Sequence, residues 1–320
     1  MTQRILARGQ IETLASRSIP RVRLPERASV FGRRATRLRT LAQASALEGY
    51  LQFLAAIADA QQAALDTFQS LPPTATQVQR AGEFGMPPMP ANSWPRDERW
   101  IAMLRALVEA VGSVAAMPDG VVAICRQIAA GPREQIDAQA DALLAATSEA
   151  IDPATAPLIM AALQVHWVAL TAAFAGAEQV KLLDVPNVCP LCGTLPVASI
   201  VCANAPYQGY RYLHCALCAC EWHMVRAQCS HCGADGKQIA YHTLLPTGAD
   251  ADSAAVKDAA VRAEACDACH GYRKIVYQEK DIAVDPVADD VATLALDLLL
   301  TEKGFHRAGG NPMLWQAAQA

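Results

Sequence analysis

Four Cys-x-x-Cys pairs, Cys189/Cys192, Cys215/Cys218, Cys229/Cys232 and Cys266/Cys269, fall within 81 residues of this chain. Two residues between cysteines let one tight turn aim both sulfurs at one ion, and the N–H groups of the turn can hydrogen-bond to them. Eight thiolates in four such pairs are enough for two tetrahedral four-sulfur metal sites. The competing reading is a set of disulfides or buried free thiols, for which this repeated spacing has no reason to arise. A closed four-sulfur site has no position for a bound water, so hydrolytic zinc chemistry is not expected, and zinc and iron both accept the geometry.

Gap lengths predict the partition. There are 22 residues between Cys192 and Cys215 and 33 between Cys232 and Cys266, enough in each case for strands that bring two knuckles face to face. Only 10 residues, Ala219 to Gln228, separate Cys218 from Cys229. That segment reads as one strand running between sites, with a reach of at most ~33 Å at ~3.3 Å per residue. Site one is therefore Cys189, Cys192, Cys215 and Cys218, and site two is Cys229, Cys232, Cys266 and Cys269. Gly193 and Gly233 directly follow a second cysteine and Gly271 follows one residue late, where glycine permits a left-handed closing turn. Each module has too little ordered chain to be stable on an apolar core alone, so the metal must be at least partly structural.

The 320 residues suggest two domains. The net charge of −4 is unremarkable, but residues 1–40 hold ten arginines against Glu12 and Glu26, leaving 17 basic and 29 acidic residues elsewhere. The imbalance points to an acidic partner for Arg33, Arg34, Arg37 and Arg39, against the plainer reading of a solvated helix face. Cysteine in metal-type pairs fits a reducing compartment. No apolar run follows the basic start as a secretory signal would require, and a mitochondrial transit peptide is the weaker reading of it. The apolar run from Leu158 to Ala175 is interrupted by Gln164, His166 and Thr171, and a buried core helix is expected rather than a membrane span.

The texture changes near Pro186. Helical periodicity runs over Val30 to Phe68, then a Pro-rich stretch (Pro72 to Pro95) reads as an irregular loop. Helices follow after Pro95 and at 119–130, 133–150 and 155–177. Beyond Val188, strands are expected at Leu195–Cys202, Tyr210–His214, Glu221–Arg226, Gln238–Leu245 and Arg273–Gln278. An insertion spans Pro246 to Asp258. Asp285-Pro286 opens a helix over Val287 to Lys303 that should pack on the N-terminal helices. The fold class is α+β: an all-helical N-terminal domain, two small rubredoxin-like or zinc-ribbon four-cysteine modules, and a C-terminal helix. The divisions are a basic segment 1–40, a helical domain 28–186, metal modules 187–228 and 229–282, and a helix and tail 283–320.

Other residues take plainer readings. Cys220 is expected to be a strand residue near site one, Cys202 a packed strand end, and Cys125 helical core. His214, His231 and His270 lie beside or between paired cysteines, but no cysteine is missing, so they are expected around the sites rather than on the ions. Trp222 reads as local core.

The segment Tyr210-Arg-Tyr-Leu-His-Cys-Ala-Leu-Cys-Ala-Cys-Glu-Trp-His-Met-Val-Arg-Ala-Gln-Cys-Ser-His-Cys232 resembles the signature of the FdhE family of formate dehydrogenase accessory (formation) proteins. So do Cys189-Pro-Leu-Cys-Gly193, the stretch from Asp285 to Leu300, and the basic stretch from Arg23 to Arg39. The resemblance covers nearly the whole chain and is most specific between 189 and 305. It implies a cytoplasmic, non-enzymatic protein that supports assembly or maturation of formate dehydrogenase and contacts its catalytic subunit. It also implies rubredoxin-like iron at the four-cysteine sites, zinc being the other candidate. All eight paired cysteines match the four pairs of the family, while Cys202 and Cys220 have no assigned place in that pattern. Neither nucleic-acid binding nor membrane insertion is expected from it.

Two alternatives stand beside that reading. One is a zinc-ribbon nucleic-acid-binding protein, its basic N-terminus neutralising phosphates. Against it, Lys237, Arg262, Arg273 and Lys274 are scattered among Asp235, Glu264 and Asp267. The other is an electron carrier or enzyme using rubredoxin-type iron. No Gly-rich phosphate loop, Ser/His/Asp signature or HExxH motif accompanies the sites.

Overall fold

A computed structural model describes residues 19–43, 45–115, 117–146, 151–175, 177, 180–185, 187–244 and 258–314. The first half is helical: α1 (Val30–Ala42), α2 (Glu48–Thr67), α3 (Ala75–Glu83), α4 (Trp100–Gly112), α5 (Asp119–Ala130), α6 (Arg133–Ala145) and α7 (Ala156–Ala172). On α1, Phe31, Ala35, Leu38 and Ala42 recur at three and four and are fully buried. The single periodic run expected over 30–68 is two helices. Ser45 breaks it: its hydroxyl accepts from Leu47 N–H at 3.1 Å and its carbonyl from Glu48 N–H at 3.1 Å, a local alternative to the helix ladder.

The Pro-rich stretch is not wholly irregular. It contains α3, started by a capping box in which Thr74 and Gln77 satisfy each other's backbone N–H groups. The Thr-x-x-Gln signal lies in the sequence between prolines. Helix α7 is buried almost all round, with Trp167, Leu163 and Val168 at its centre, as a core helix should be. Among the described residues no helix is long and apolar enough to cross a membrane.

The second half, joined by the N-terminal strand β1 (Val22–Arg23), forms one sheet, whose other strands are β2 (Pro196–Val201), β3 (Arg211–Cys215), β4 (Glu221–Met224), β5 (Ile239–His242), β6 (Val261–Cys266), β7 (Gly271–Tyr277) and β8 (His306–Arg307); β1 lies beside β4. The order is β1-β4-β3-β2-β7-β6-β5, with β8 parallel to the start of β7. Each metal unit repeats one pattern: knuckle, strand, antiparallel strand, knuckle, strand. The first is β2-β3-β4 and the second β5-β6-β7. They are fused by a parallel pairing of β2 with β7, Ser199↔Ile275 through Val201↔Tyr277. Strand β6 has no counterpart in the sequence reading, although Val261, Ala263 and Ala265 alternate with Arg262, Glu264 and Cys266. A buried Glu at the strand centre masked the pattern, and Glu264 is there to meet Arg211 across the sheet.

The helix expected over 287–303 is also two, α8 (Pro286–Ala292) and α9 (Leu294–Glu302). Asp285 caps the first, accepting from Val287 and Ala288 N–H at 2.9 and 2.8 Å. The break falls at Thr293. Buried Lys274 of β7 takes the carbonyls of Asp290 (2.7 Å) and Thr293 (3.0 Å), and Asp297 Oδ2 at 2.5 Å. An ammonium there replaces the N–H groups that a continuous helix would supply. Helix α8 packs on α1, as expected, through Arg34–Asp285 and Arg37–Asp289.

One continuous core joins the halves. It runs from Phe31 and Trp100 through Trp167 to the sulfurs of site one and to Trp222 and Val287.

Candidate metal centres

The eight paired cysteines come together in two groups of four: Cys189, Cys192, Cys215 and Cys218, and Cys229, Cys232, Cys266 and Cys269. The sulfurs within each group lie within 4.8 Å of one another. This is the partition that gap lengths predicted. Strands set the opposition. Cys215 ends β3 opposite Pro196 of β2, and Cys266 ends β6 opposite Ile239 of β5, so each second knuckle is delivered to the end where its first knuckle begins.

The sulfur spacing tests the fit to a metal. Cys189–Cys218 is 3.6 Å and Cys192–Cys215 is 3.4 Å. In the second group Cys229–Cys269 is 3.9 Å and Cys232–Cys266 is 3.8 Å. A tetrahedron with bonds of ~2.3 Å to sulfur has edges of about 3.8 Å. A disulfide would need about 2.05 Å. Both donor sets therefore fit a tetrahedral, thiophilic ion, and zinc and iron suit the same four sulfurs.

All four knuckles close in the same way. The residue after each second cysteine is left-handed: Gly193 (φ 76°), Ala219 (φ 54°), Gly233 (φ 76°) and His270 (φ 53°). The sequence signals only the two glycines. Ala219 and His270 adopt the strained region without one, held by the knuckle. Gly271 has a different role from the one expected. A Cβ there would lie 3.3 Å from both Cys269 Sγ and the His231 ring, so glycine leaves room for the close approach of these two groups. Backbone bonds from Gly193 N to Cys189 O (2.9 Å) and Gly233 N to Cys229 O (3.0 Å) complete the turns.

Donors converge on the sulfurs. Leu217 and Cys218 N–H each lie 3.4 Å from Cys215 Sγ, and His231 N–H lies 3.4 Å from Cys229 Sγ. The Thr194 hydroxyl is 3.1 Å from both Cys192 Sγ and Cys215 Sγ. The sequence reading passed over Thr194, though its place next to the knuckle glycine marks it. Burial pushes the Cys189 and Cys192 thiols well above the usual range. Burial acts the same way on Cys218, but hydrogen bonds from Cys189, Cys192, Cys215 and Cys220 outweigh it and draw Cys218 well below that range. Four buried thiols cannot all ionise without a cation among them, so the ion and the thiolate state come together.

The remaining sequence candidates lie outside the two groups of four. Cys220 is buried beside Cys189 and Cys218, outside the group of four. Cys202 directly follows β2 and accepts a hydrogen bond from Arg23 at 2.9 Å. Cys125 is buried in the helical core. His214 Nδ1 pairs with Glu221 at 3.1 Å, His231 stacks edge-on to His306 at 6.1 Å, and His270 faces Phe305 at 6.2 Å. No histidine joins either group among the described residues.

The arginines divide. Arg33 is exposed and pairs with Glu26 at 2.6 Å, and Arg39 is exposed and pairs with Asp59. Arg34 and Arg37 are buried against Asp285, Asp289 and Asp281. The acidic complement of those two is internal, in the segment after β7. In this conformation they are closed to an outside partner, contrary to the expectation placed on all four.

The two sites differ in support. The knuckle of Cys189 and Cys192 is gripped by the Pro-rich loop, Met89 N–H to Leu191 O (3.0 Å) and Ala91 N–H to Cys192 O (2.9 Å). Gln164 of α7 donates to Ala216 O at 2.7 Å, and Gln61 of α2 donates to Gln164 at 2.9 Å. This buried amide relay ties site one to the helical core. Site two lies at the rim, its Cys229 knuckle steadied by Asn187 to His231 O (3.1 Å) and Arg273 to Ser230 Oγ (3.1 Å).

A helical N-terminal region carrying a fused sheet with two four-cysteine metal-binding sites defines a class, proteins whose metal sites are built of four sulfurs each. Three family profiles cover the chain in sequence: FdhE, N-terminal, over residues 19–184; FdhE, central domain, over 188–226; and FdhE, C-terminal domain, over 227–314. The chain belongs to the FdhE family. It is 35% identical over 318 residues to Protein FdhE homolog of Cronobacter sakazakii, covering 98% of each chain. It is 35% identical over 307 residues to Protein FdhE of Escherichia coli, covering 96% of this chain and 95% of that one. The crystal structure of the FdhE protein from Pseudomonas aeruginosa superposes with a TM-score of 0.79 at 35% identity, covering 93% of this chain and all of that one.

Proposed function

We propose that this chain is a cytoplasmic accessory protein that supports assembly or maturation of formate dehydrogenase, binds its catalytic subunit, and performs no catalysis of its own. The observation that carries the reading is the pair of closed four-sulfur centres in a chain of the FdhE family. Such centres leave no position for formate. The eight cysteines would hold two ions of rubredoxin-type iron, with zinc accepted by the same geometry. When bound, the ions supply cross-links that fix the knuckles and, if iron, a one-electron couple. The modules 187–228 and 229–282 act as the metal units. Of Arg33, Arg34, Arg37 and Arg39, the two left on the surface for the partner are Arg33 and Arg39.

Deleting the gene should abolish formate dehydrogenase activity without reducing synthesis of the catalytic subunit. The purified chain should bind that subunit and oxidise no formate. Normal activity in a deletion strain with no second copy would overturn the reading.

A second reading, an electron carrier, is favoured by one observation: Cys232 is exposed and Cys269 half-exposed, giving an iron in site two an edge through which an electron could pass. Reversible bleaching of a visible thiolate–iron band on reduction, with transfer to an acceptor protein, would support it. The nucleic-acid reading has less support, because Arg34 and Arg37 of the basic segment pair with aspartates within the chain.

A further inference from the structure

The two centres have the same ligands and unequal access. In site one the four cysteines are 0, 1, 1 and 0% exposed in chain order. In site two Cys229 and Cys266 are buried, Cys269 is half-exposed and Cys232 is exposed. The supports are unequal as well. Both knuckles of site one are pinned by groups of the helical domain, Met89, Ala91 and Gln164. In site two the grip falls on Ser230, next to Cys229, and on His231 O, in the peptide bond to Cys232, while the Cys232 side chain and Gly233 stay exposed.

From this asymmetry we infer that site two is an exchangeable metal site, that Cys232 is the ligand that leaves first, and that a soft divalent cation passes in and out there by thiol-for-thiol replacement. The inference rests on the two-centre reading above. In the exchange the sulfur of an incoming thiol forms a bond to the cation, and Cys232 Sγ gives up its own. The proton of the incoming thiol passes to the released Cys232 thiolate, and no electron changes hands. Replacement of this kind needs an open side through which the incoming thiol can reach the ion. Cys232 offers one, and no cysteine of site one does. The half-buried ring of His231 and the exposed ring of His306 meet edge-on beside Cys269 Sγ, around Gly271, and imidazole nitrogens can hold a cation in passage. Site one, sealed under the core, keeps its ion.

The full chain loaded with two equivalents of zinc is mixed with a chromogenic chelator, with and without a low-molecular-weight thiol. Alkylation by N-ethylmaleimide is mapped in parallel by peptide mass spectrometry. One equivalent should leave about tenfold faster or more, a barrier difference of about 1.4 kcal/mol. The thiol should accelerate that phase alone, and Cys232 should be alkylated in it before Cys189, Cys192, Cys215 or Cys218. In Cys232→Ser only the slow equivalent should remain. Release of both ions at one rate, or first alkylation within site one, would overturn the inference and leave the two-centre reading intact. Binding of fewer than two ions by the native chain would overturn both.

Discussion

Arg37 on the first helix makes a two-point ion pair with Asp289, 252 positions later in the chain: Nε to Oδ2 at 2.9 Å and an Nη to Oδ1 at 2.6 Å. Its other Nη reaches Asp281 at 2.7 Å. The side chain of Asp289 is 1% exposed and that of Arg37 is 9%. The pair spans the molecule's two halves and fixes α8 on α1, beside the strands that carry the metal knuckles. Arg37→Ala leaves a buried carboxylate without its partner and should cost about 3–5 kcal/mol. Urea denaturation of the metal-loaded protein measures it. A loss within about 0.5 kcal/mol, typical of an exposed pair, would mean that the pair is solvated.

The two centres should fail differently. Cys192→Ser should empty site one and loosen the helical domain, because Met89, Ala91 and Gln164 hydrogen-bond to its knuckles. Cys269→Ser should empty site two and leave the helical domain folded. Metal analysis gives one ion in each variant, and amide exchange on α7 separates them. Structural zinc binding is worth roughly 10–16 kcal/mol in comparable peptides, so loss of site one should be far from silent. X-ray absorption of the native chain should show sulfur alone in the first shell, since among the described residues no imidazole joins either group.

His166 gives stability a pH dependence. Burial pulls its pKa down to about 4, with Asp97 opposing and Arg96 assisting. Its Nε2 accepts from Asp97 N–H at 3.0 Å, which requires the neutral ring. Unfolded, the same group titrates near 6.5, so between the two values the unfolded chain binds more protons. The contribution is complete above about pH 6.5 and is lost as pH falls towards 4. From about pH 7.5 to about pH 5 it should amount to about 2 kcal/mol. Stability of His166→Gln should be lower at neutral pH and flatter across that window. An unchanged slope would assign acid sensitivity to other groups.

For partner binding, Arg33→Glu with Arg39→Glu tests the surface part of the basic segment. Both side chains are about half exposed or more, 63% and 47%. The double variant should weaken binding to the catalytic subunit, leave metal content unchanged, and reduce the salt dependence of the affinity, since exposed charges are screened beyond about 10 Å at 0.1 M salt. Unchanged affinity returns both residues to a solvated helix face.

The sequence by itself determined which eight cysteines come together and how they group. Cys-x-x-Cys is a local geometry, and gap lengths limit which knuckles can meet. It also determined the helix-to-strand change near Pro186, because periodicity is local too. It did not show that two repeated units share one sheet. The parallel join of β2 and β7 depends on residues 76 apart meeting in register, Ser199 with Ile275, and no local signal encodes that. Nor did it show where the basic charge goes. The arginines of α1 look unopposed along the chain, yet Asp281, Asp285 and Asp289 stand against Arg34 and Arg37 in space. The difference between the two centres was equally invisible, since their spacing patterns match. Only the fold puts one set of four sulfurs under the helical core and leaves the other at the rim with Cys232 in solvent, because burial belongs to packing between distant segments and not to the motif itself.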